Sequence, residues 1–363
     1  MTKDELPRSV LIMAGGTGGH VFPALAVADC LREKDINVEW LGIQSGIESR
    51  LVPAADIPIH FINVSGLRGI GMLSVVKSLF QLAGSVLQAL RIVRQIRPVC
   101  VLGMGGFVSG PGGVAAWLTG RPLVIHEQNA VAGTTNKLLA SLAKKVLQGY
   151  PIQLGGDKGH YIGNPVRGEI ARLPAPEQRG VGRSGNLRLL VLGGSLGAKP
   201  INDILPKVLL NIPERQRPQL WHQTGKAHIN TVLAAYREAG VEVKAEAFID
   251  DMQAAYGWAD IVLCRAGALT VAELTAVGVA SILVPLPHAI DDHQTENARW
   301  LVDNHAGLML TQSRMSVEGV SELLIEFDND RPHVLQMAVA ARNLAKINAA
   351  EQVAATCLEV ACG

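Results

Sequence analysis

The sequence has little net charge, few cysteines and no long apolar segment. Its 33 basic and 32 acidic residues leave a formal net charge of +1, which argues against a nucleic-acid partner held by bulk charge. The five cysteines show neither a Cys-x-x-Cys pair nor a Cys/His ligand spacing, so we expect a reduced cytosolic protein without a disulfide framework or a zinc site. The longest uncharged stretch, residues 99–120, contains seven glycines and a proline, which excludes a membrane-spanning helix there.

What the sequence does have is a repeated alternation of short apolar runs, glycine-rich turns and amphipathic segments, which is typical of parallel α/β sheets. Residues 10–13 and the Gly-Gly-Thr-Gly-Gly turn after them recur as residues 189–192 and Gly-Gly-Ser-Leu-Gly. Two such first strands predict two doubly wound domains, with the change of domain between about Asn164 and Arg188, where a Pro/Gly-rich connector lies. Further strands are predicted at residues 38–41, 99–102, 123–125, 261–263 and 281–284.

Three glycine-rich turns follow predicted strands: the first glycine turn (residues 15–20), the middle glycine turn (residues 103–110) and the last glycine turn (residues 193–197). Glycine lets a phosphate approach the backbone, and the helix that follows offers N–H groups. None of the turns continues as a Walker motif, and Val21 stands where a dinucleotide fingerprint needs a third small residue. Glu39, near the end of the second predicted strand, leaves a dehydrogenase as a minor alternative.

A fourth candidate feature is the helix predicted to begin at residues 268–270, with Glu273 in its first turns. Its N-terminus could bind a diphosphate while the carboxylate takes two vicinal ribose hydroxyls. The alternative is that Glu273 is only a favourable charge near a helix N-terminus, worth ~0.3–1 kcal/mol.

These motifs resemble those of the MurG family, the bacterial N-acetylglucosaminyltransferases that convert lipid I to lipid II in peptidoglycan synthesis, and so serve cell shape and division. The resemblance covers nearly the whole chain and rests on residues 15–24, 126–129, 163–167, 193–198 and 264–273. It implies an α/β fold of two Rossmann-like doubly wound domains facing across a cleft, the GT-B arrangement. Residues 1–164, with a C-terminal helix at about 343–363, would face acceptor and membrane, and residues 165–342 would bind the UDP-GlcNAc donor.

The resemblance further implies an inverting transfer of N-acetylglucosamine to the C4 hydroxyl of lipid I, with UDP-GlcNAc as substrate and without a cofactor or a metal. The one Asp-x-Asp sequence, residues 328–330, is interpreted as a solvated turn or helix cap. The acceptor diphosphate would meet Gly103, Gly105, Gly106 and Asn136. The donor would meet Thr17, Gly18, Gly19, Asn129, Arg167, Ser195, Ile249, Ala268, Leu269, Thr270, Val271, Ala272, Glu273 and Gln294, the last in a segment one residue longer than the family pattern.

The reaction needs a base for the acceptor hydroxyl, and His20 at the end of the first glycine turn is the first candidate, with His126 and Glu127 as rivals. The alternative for His20 is that it only caps or orients the turn. Two other functions stay open: a UDP-GlcNAc 2-epimerase, which would need no lipid acceptor, and a non-catalytic sugar-nucleotide sensor or membrane scaffold.

The small net charge is an average over two unlike halves, because residues 1–165 carry 15 basic and 10 acidic residues while the remainder carries 18 and 22. No acidic residue occurs between Asp56 and Glu127, and a predicted helix within that stretch has two apolar stripes flanked by Lys77 and three arginines. This pattern favours an interfacial helix on an anionic membrane, although a helix buried on both faces would fit as well. With lipid I as substrate, we expect a peripheral protein at the cytoplasmic face of the bacterial inner membrane, with other cell-wall or division proteins as further partners. Nucleic acid is not expected as a partner.

Overall fold

The structure, a computed structural model of the chain, describes residues 9–64, 72–180, 183–194, 196–287 and 292–362. Ser195, predicted to face the donor diphosphate, lies outside the described residues, as do residues 288–291 of the long segment before Gln294. Two compact units divide the chain: residues 1–167 with 346–363, and residues 168–345. These boundaries lie three residues beyond the ones predicted at 164/165 and 342/343.

The first unit contains a parallel sheet of seven strands in the order β3-β2-β1-β4-β5-β6-β7. The strands are β1 (Ser9–Met13), β2 (Asn37–Gly42), β3 (Ile59–Phe61), β4 (Cys100–Gly103), β5 (Leu123–Glu127), β6 (Lys145–Gln148) and β7 (Gly159–Tyr161). Its helices are α1 (Gly18–Arg32), α2 (Glu48–Ala54), α3 (Met72–Ile96), α4 (Ser109–Leu118), α5 (Thr134–Leu139) and α15 (Ala349–Cys362).

The central strand of this sheet is apolar on both faces, because helices cover both sides. Val10 and Ile12 belong to a core cluster with residues of α1 and α15, whereas Leu11 and Met13 pack in a second cluster with residues of α3 and α4. The C-terminal helix α15 is therefore part of the first unit, where it contacts α1 and β4.

The second unit contains a parallel sheet of six strands in the order β10-β9-β8-β11-β12-β13. The strands are β8 (Arg188–Leu192), β9 (Gln219–Gln223), β10 (Lys244–Glu246), β11 (Ile261–Cys264), β12 (Ala280–Leu283) and β13 (Leu308–Met309). The helices are α6 (Gly168–Ala171), α7 (Pro176–Arg179), α8 (Lys199–Asn211), α9 (Ile229–Glu238), α10 (Met252–Trp258), α11 (Ala268–Val277), α12 (His293–Asp303), α13 (Val317–Asn329) and α14 (Arg331–Asn343).

The prediction of two doubly wound parallel sheets is confirmed, and each of the seven predicted strands lies within a residue or two of an observed one. The structure adds six strands, of which β3, β7, β10 and β13 are two or three residues long and lie toward the sheet edges. Strand β11 ends at Cys264, and Gly267 is the N-cap of α11, which begins at Ala268 as predicted.

Candidate active site

Both sheets reverse their strand order at one place, and the glycine-rich turns lie there. In the first unit the reversal falls between β1 and β4, which lead into the first and middle glycine turns. In the second unit it falls between β8 and β11, which lead into the last glycine turn and into α11. Ligands of open α/β sheets bind beyond the carboxyl ends of the strands at such a switch point. Each unit therefore has a candidate binding edge built from two of the predicted segments.

In the first unit, the first and middle glycine turns pack against each other through their backbones. Gly106 has a φ of +82°, and a Cβ added there would lie 2.4 Å from the Gly15 carbonyl oxygen. Gly105 has a φ of +95°, and a Cβ there would lie 2.6 Å from Cδ2 of His20. Only glycine fits both positions, because its lack of a side chain permits positive φ and close approach. The structure thus brings the predicted base into contact with the predicted acceptor turn.

His20 itself lies in the first turn of α1 and is half-exposed. Its Nδ1 is 3.4 Å from the hydroxyl of Thr17, the N-cap residue. The predicted donor-binding residues Gly18 and Gly19 lie between these two in the chain, so this part of the predicted site is contiguous. The Thr17 side chain makes no capping hydrogen bond to the helix backbone. Its hydroxyl instead contacts the imidazole of His20 and so orients that ring.

Glu48, a residue that the sequence did not single out, supports the first glycine turn from beneath. Its side chain is fully buried, with Oε2 accepting from Gly16 N at 3.0 Å and Oε1 accepting from Ile43 N at 3.0 Å. A Cβ on Gly15 would lie 2.4 Å from Oε1. Hydrogen bonds from backbone N–H groups to a carboxylate are among the stronger ones in proteins, so Glu48 fixes the course of the turn.

His126 and Glu127, the rival bases, end β5 and are almost completely buried. His126 Nε2 donates to the Gly163 carbonyl oxygen at 2.9 Å, and burial lowers its pKa to about 4. Glu127 accepts hydrogen bonds from the backbone of Asn129 and Gly133 and from the side chain of Asn136 at 2.8–2.9 Å. Both carboxylate oxygens of Glu127 are therefore already occupied by N–H donors. This geometry favours His20 over both rivals.

The same hydrogen bonds define what Asn129 and Asn136 can do. The amide group of Asn136, on α5, donates to Glu127 and to the His126 carbonyl oxygen, and the side chain is buried. Asn129 is half-exposed and its backbone and side chain both face Glu127. Asn129 therefore retains access to a ligand, whereas Asn136 is buried and its amide group already donates within the unit, so its predicted contact with the acceptor has no support from the geometry. The guanidinium of Arg167 lies 5.6 Å from the ring centroid of Phe22 on α1.

In the second unit, α11 offers a helix N-terminus after β11. Gly267 caps the helix in an extended conformation and has no side chain with which to satisfy the first N–H groups, so those of Ala268, Leu269 and Thr270 can meet an anion. Val271 and Ala272 continue the same helix. Glu273 follows in the second turn, almost buried, and its Oε2 accepts from the hydroxyl of Tyr256 at 3.0 Å. Tyr256, on α10, was not predicted as a site residue. Its hydroxyl orients Glu273, the carboxylate predicted to bind the ribose.

The other predicted donor residues follow neighbouring strands. Gly193 and Gly194 follow β8, Ile249 follows β10, and Gln294 is the second residue of α12, which follows β12. The side chain of Ile249 is buried, which leaves its backbone for the predicted contact with the donor. Gln294 Oε1 accepts from Leu286 N at 2.9 Å, so this side chain is already oriented by the loop after β12.

Among the residues that the structure describes, there is no group of three His, Cys, Asp or Glu side chains able to hold a metal ion. Asp330 of the Asp-x-Asp sequence is exposed and caps α14 by accepting from His333 N at 3.0 Å, as predicted. Asp328 is instead partly buried, and its Oδ1 accepts from Leu187 N at 3.0 Å. In the described part of the chain, no helix is long and apolar enough to cross a bilayer.

Comparison with known proteins matches residues 10–148 to the glycosyltransferase family 28 N-terminal domain and residues 188–355 to the glycosyltransferase family 28 C-terminal domain. The chain belongs to glycosyltransferase family 28. It is 54% identical over 352 residues to a UDP-N-acetylglucosamine–N-acetylmuramyl-(pentapeptide) pyrophosphoryl-undecaprenol N-acetylglucosamine transferase of Alkalilimnicola ehrlichii, covering 97% of this chain and 99% of that one.

Solved structures agree with this family membership. The crystal structure of Acinetobacter baumannii MurG is 39% identical, has a TM-score of 0.83 and covers 97% of this chain and 100% of its own. The UDP-GlcNAc 2-epimerase of Neisseria meningitidis shares the fold, with a TM-score of 0.66 at 12% identity, covering 97% of this chain and 100% of its own. The resemblance to the MurG family is confirmed.

The dehydrogenase alternative receives no support from Glu39. This residue lies within β2, and its carboxylate is 2.7 Å from His60 Nε2.

Proposed function

We propose that this family 28 chain transfers N-acetylglucosamine from UDP-GlcNAc to the C4 hydroxyl of lipid I and so makes lipid II. The observation that carries the proposal is the contact of His20 with Gly105, because it puts a proton acceptor against the turn suited to an acceptor diphosphate. Sequence identity of 51% and 54%, over nearly the full length, with transferases named for this reaction supports the same conclusion.

In the first unit, His20 acts as the base. In this role the proton of the neutral ring is on Nδ1, which lies 3.4 Å from the Thr17 hydroxyl, and Nε2 takes the proton of the acceptor hydroxyl as that oxygen attacks the anomeric carbon. One displacement on the face opposite to UDP inverts the α-linked donor to a β-linked product. Gly105 and Gly106 provide the close backbone approach that a lipid-linked diphosphate needs.

In the second unit, the donor nucleotide binds along the carboxyl edge of the sheet. The N–H groups that open α11, together with Gly193 and Gly194, stabilise the negative charge that grows on the departing diphosphate. Glu273, oriented by Tyr256, accepts from the ribose hydroxyls, and Gln294 contacts the sugar. These contacts supply charge stabilisation from the backbone, which can serve the departing diphosphate without a metal ion.

The membrane part of the proposal rests on α3. Phe80 and Leu87, from one of the two predicted stripes, are 75% and 58% exposed, while Val93 from the other is buried. Arg91 and Arg94 are exposed on the same helix. In the part of α3 whose side chains the structure describes, Phe80 and Leu87 thus remain outside and Val93 packs on the unit, although Leu82 of the same stripe as Val93 is 38% exposed. An exposed apolar row beside arginines is expected of a helix lying in an anionic interface. This supports a peripheral position at the cytoplasmic face of the inner membrane, where lipid I is met.

The decisive experiment incubates the protein with UDP-GlcNAc and a lipid I analogue and follows both UDP release and product mass. We expect UDP to be released only with the acceptor and the acceptor to gain one N-acetylhexosamine. Acceptor-independent formation of UDP-N-acetylmannosamine would show the epimerase instead. Vesicles with and without anionic lipid test α3, and binding that ignores both lipid charge and salt would overturn the electrostatic part.

A further inference from the structure

The last glycine turn is held in place by a second short segment, residues 223–225, which follows β9. Gly193 N donates to the Gln223 carbonyl oxygen at 3.1 Å. Gly197 has a φ of +79°, and a Cβ on it would lie 2.2 Å from the carbonyl oxygen of Thr224. Gly225 has a φ of +85°, and its Cβ would lie 2.6 Å from Gly197 N. The two segments therefore touch backbone to backbone, and the position of one sets the position of the other.

The Thr224 carbonyl group, against which Gly197 packs, is fixed by a buried side chain. Asn202, the fourth residue of α8, donates from Nδ2 to the Thr224 oxygen at 2.9 Å and is 2% exposed. Because α8 begins directly after the last glycine turn, Asn202 ties the helix that leaves the turn to the segment beneath it. Loss of this donor would leave a buried carbonyl oxygen without its hydrogen bond, which costs free energy. The contact therefore holds the backbone in one position.

Asn202 is in turn held by His222, which lies on β9 and is completely buried. His222 Nε2 is 3.1 Å from Asn202 Oδ1, and its Nδ1 is 2.9 Å from the hydroxyl of Tyr236 on α9. Since Asn202 Nδ2 donates to Thr224, Oδ1 must accept, which makes Nε2 the protonated nitrogen and leaves Nδ1 to accept from Tyr236. Burial lowers the pKa of His222 to about 3, so the neutral ring that this arrangement requires is present at neutral pH.

We propose that Asn202 and His222 are positioning residues for donor binding: they fix the Thr224 carbonyl and, through it, the backbone of Gly193 and Gly197 that receives the diphosphate of the sugar nucleotide. The inference rests on the proposed function for the identity of the ligand. Neither side chain touches the donor. Their effect is to keep the turn in its binding conformation before the nucleotide arrives, which reduces the ordering cost of binding.

The test uses Asn202→Leu, which keeps the volume and removes the donor, in the full chain. We expect the Kd for UDP and the KM for UDP-GlcNAc to rise about tenfold, with kcat at saturating donor and the acceptor KM within about threefold of the wild type. His222→Leu should behave alike, and His222→Gln, whose amide can replace Nε2–H, should restore most of the UDP affinity. Tyr236→Phe removes only one hydroxyl and is the fallback if the other variants fail to fold. A similar rise in its Kd for UDP would support the positioning role.

The matched control is Ser321→Ala, because Ser321 is equally buried and its hydroxyl donates to Val208, near the other end of α8. It should lower Tm without changing UDP affinity. If the Asn202 and His222 variants also lower only Tm, the positioning role is wrong. A wild-type protein that binds UDP but fails to glycosylate the lipid I analogue would overturn the proposed function instead, and UDP titrations would still decide the role of Asn202.

Discussion

The first and last glycine turns repeat one sequence pattern but are supported by opposite chemistry. Beneath the first turn lies Glu48, a buried carboxylate bonded to two backbone N–H groups. Beneath the last turn lie Asn202 and His222, a buried neutral pair that acts through a carbonyl group. The turn predicted to bind the nucleotide diphosphate is thus supported by neutral side chains, whereas the turn that carries His20 is supported by an acidic one.

The turns also differ in where the next helix begins. Helix α1 starts at Gly18, inside the pattern, which puts His20 into its first turn. Helix α8 starts at Lys199, after the pattern, and Ala198 stands where His20 stands in the first turn. The same strand-turn-helix unit thus yields a site with a proton acceptor in one domain and an anion-binding site in the other. Four predictions test this division of roles.

The largest expected effect is that of His20→Ala. If His20 is the base, its loss should lower kcat by roughly 10²–10⁴ while leaving the Kd for UDP unchanged, because the nucleotide is predicted to bind the other unit. Steady-state kinetics with the lipid I analogue and UDP titration measure the two quantities. His160→Ala, an exposed histidine of the same unit, serves as the control and should be active. Near-normal turnover of His20→Ala would mean that the histidine only orients the turn.

Next in size is the replacement of the carboxylate support by Glu48→Gln. An amide cannot accept the bonds from both Gly16 and Ile43 without bringing its own N–H₂ group against one of them. We expect the free energy of unfolding to fall by about 2 kcal/mol, because a charge-assisted buried bond is lost. Urea unfolding measures this, with Glu39→Gln as the partly exposed control, expected within about 1 kcal/mol of the wild type. Equal losses of unfolding free energy in the two variants would contradict the special role assigned to the buried carboxylate of Glu48.

A pair of glycine substitutions separates the two sites. In Gly105→Ala the new Cβ meets His20 and the backbone has positive φ, so we expect kcat to fall and the acceptor KM to rise, each about tenfold, with UDP affinity unchanged. In Gly197→Ala the new Cβ meets the Thr224 carbonyl oxygen, so UDP affinity should fall while the acceptor KM is unaffected. Each variant is the control for the other, and the same losses in both would contradict separate acceptor and donor roles.

The sequence predicted the glycine turns and their strands because both signals are local. Residues 10–13 and 189–192 are apolar throughout, and glycine follows each run. Strand β9 was not predicted, since its sequence begins and ends with glutamine and includes His222, residues that usually lie at the surface. Burial of that histidine depends on partners from α8 and α9, which are distant in sequence. Glu48 gave no signal for a related reason: its donor in the first glycine turn, Gly16, precedes it by 32 residues.

The smallest expected effect is the pH dependence of stability that the two buried histidines, His126 and His222, cause. Burial lowers the pKa of His126 to about 4 and that of His222 to about 3, whereas a histidine in the unfolded chain titrates near ~6.5. As pH falls below the unfolded value, only the unfolded state takes up these protons. Stability is therefore full above pH ~6.5 and is lost as pH falls toward the folded values, by about 1 kcal/mol per histidine between pH ~7 and ~5.5. Urea unfolding across that window should show a smaller pH dependence for His222→Gln than for the wild type, and an unchanged slope would mean that His222 accepts a proton in the folded protein.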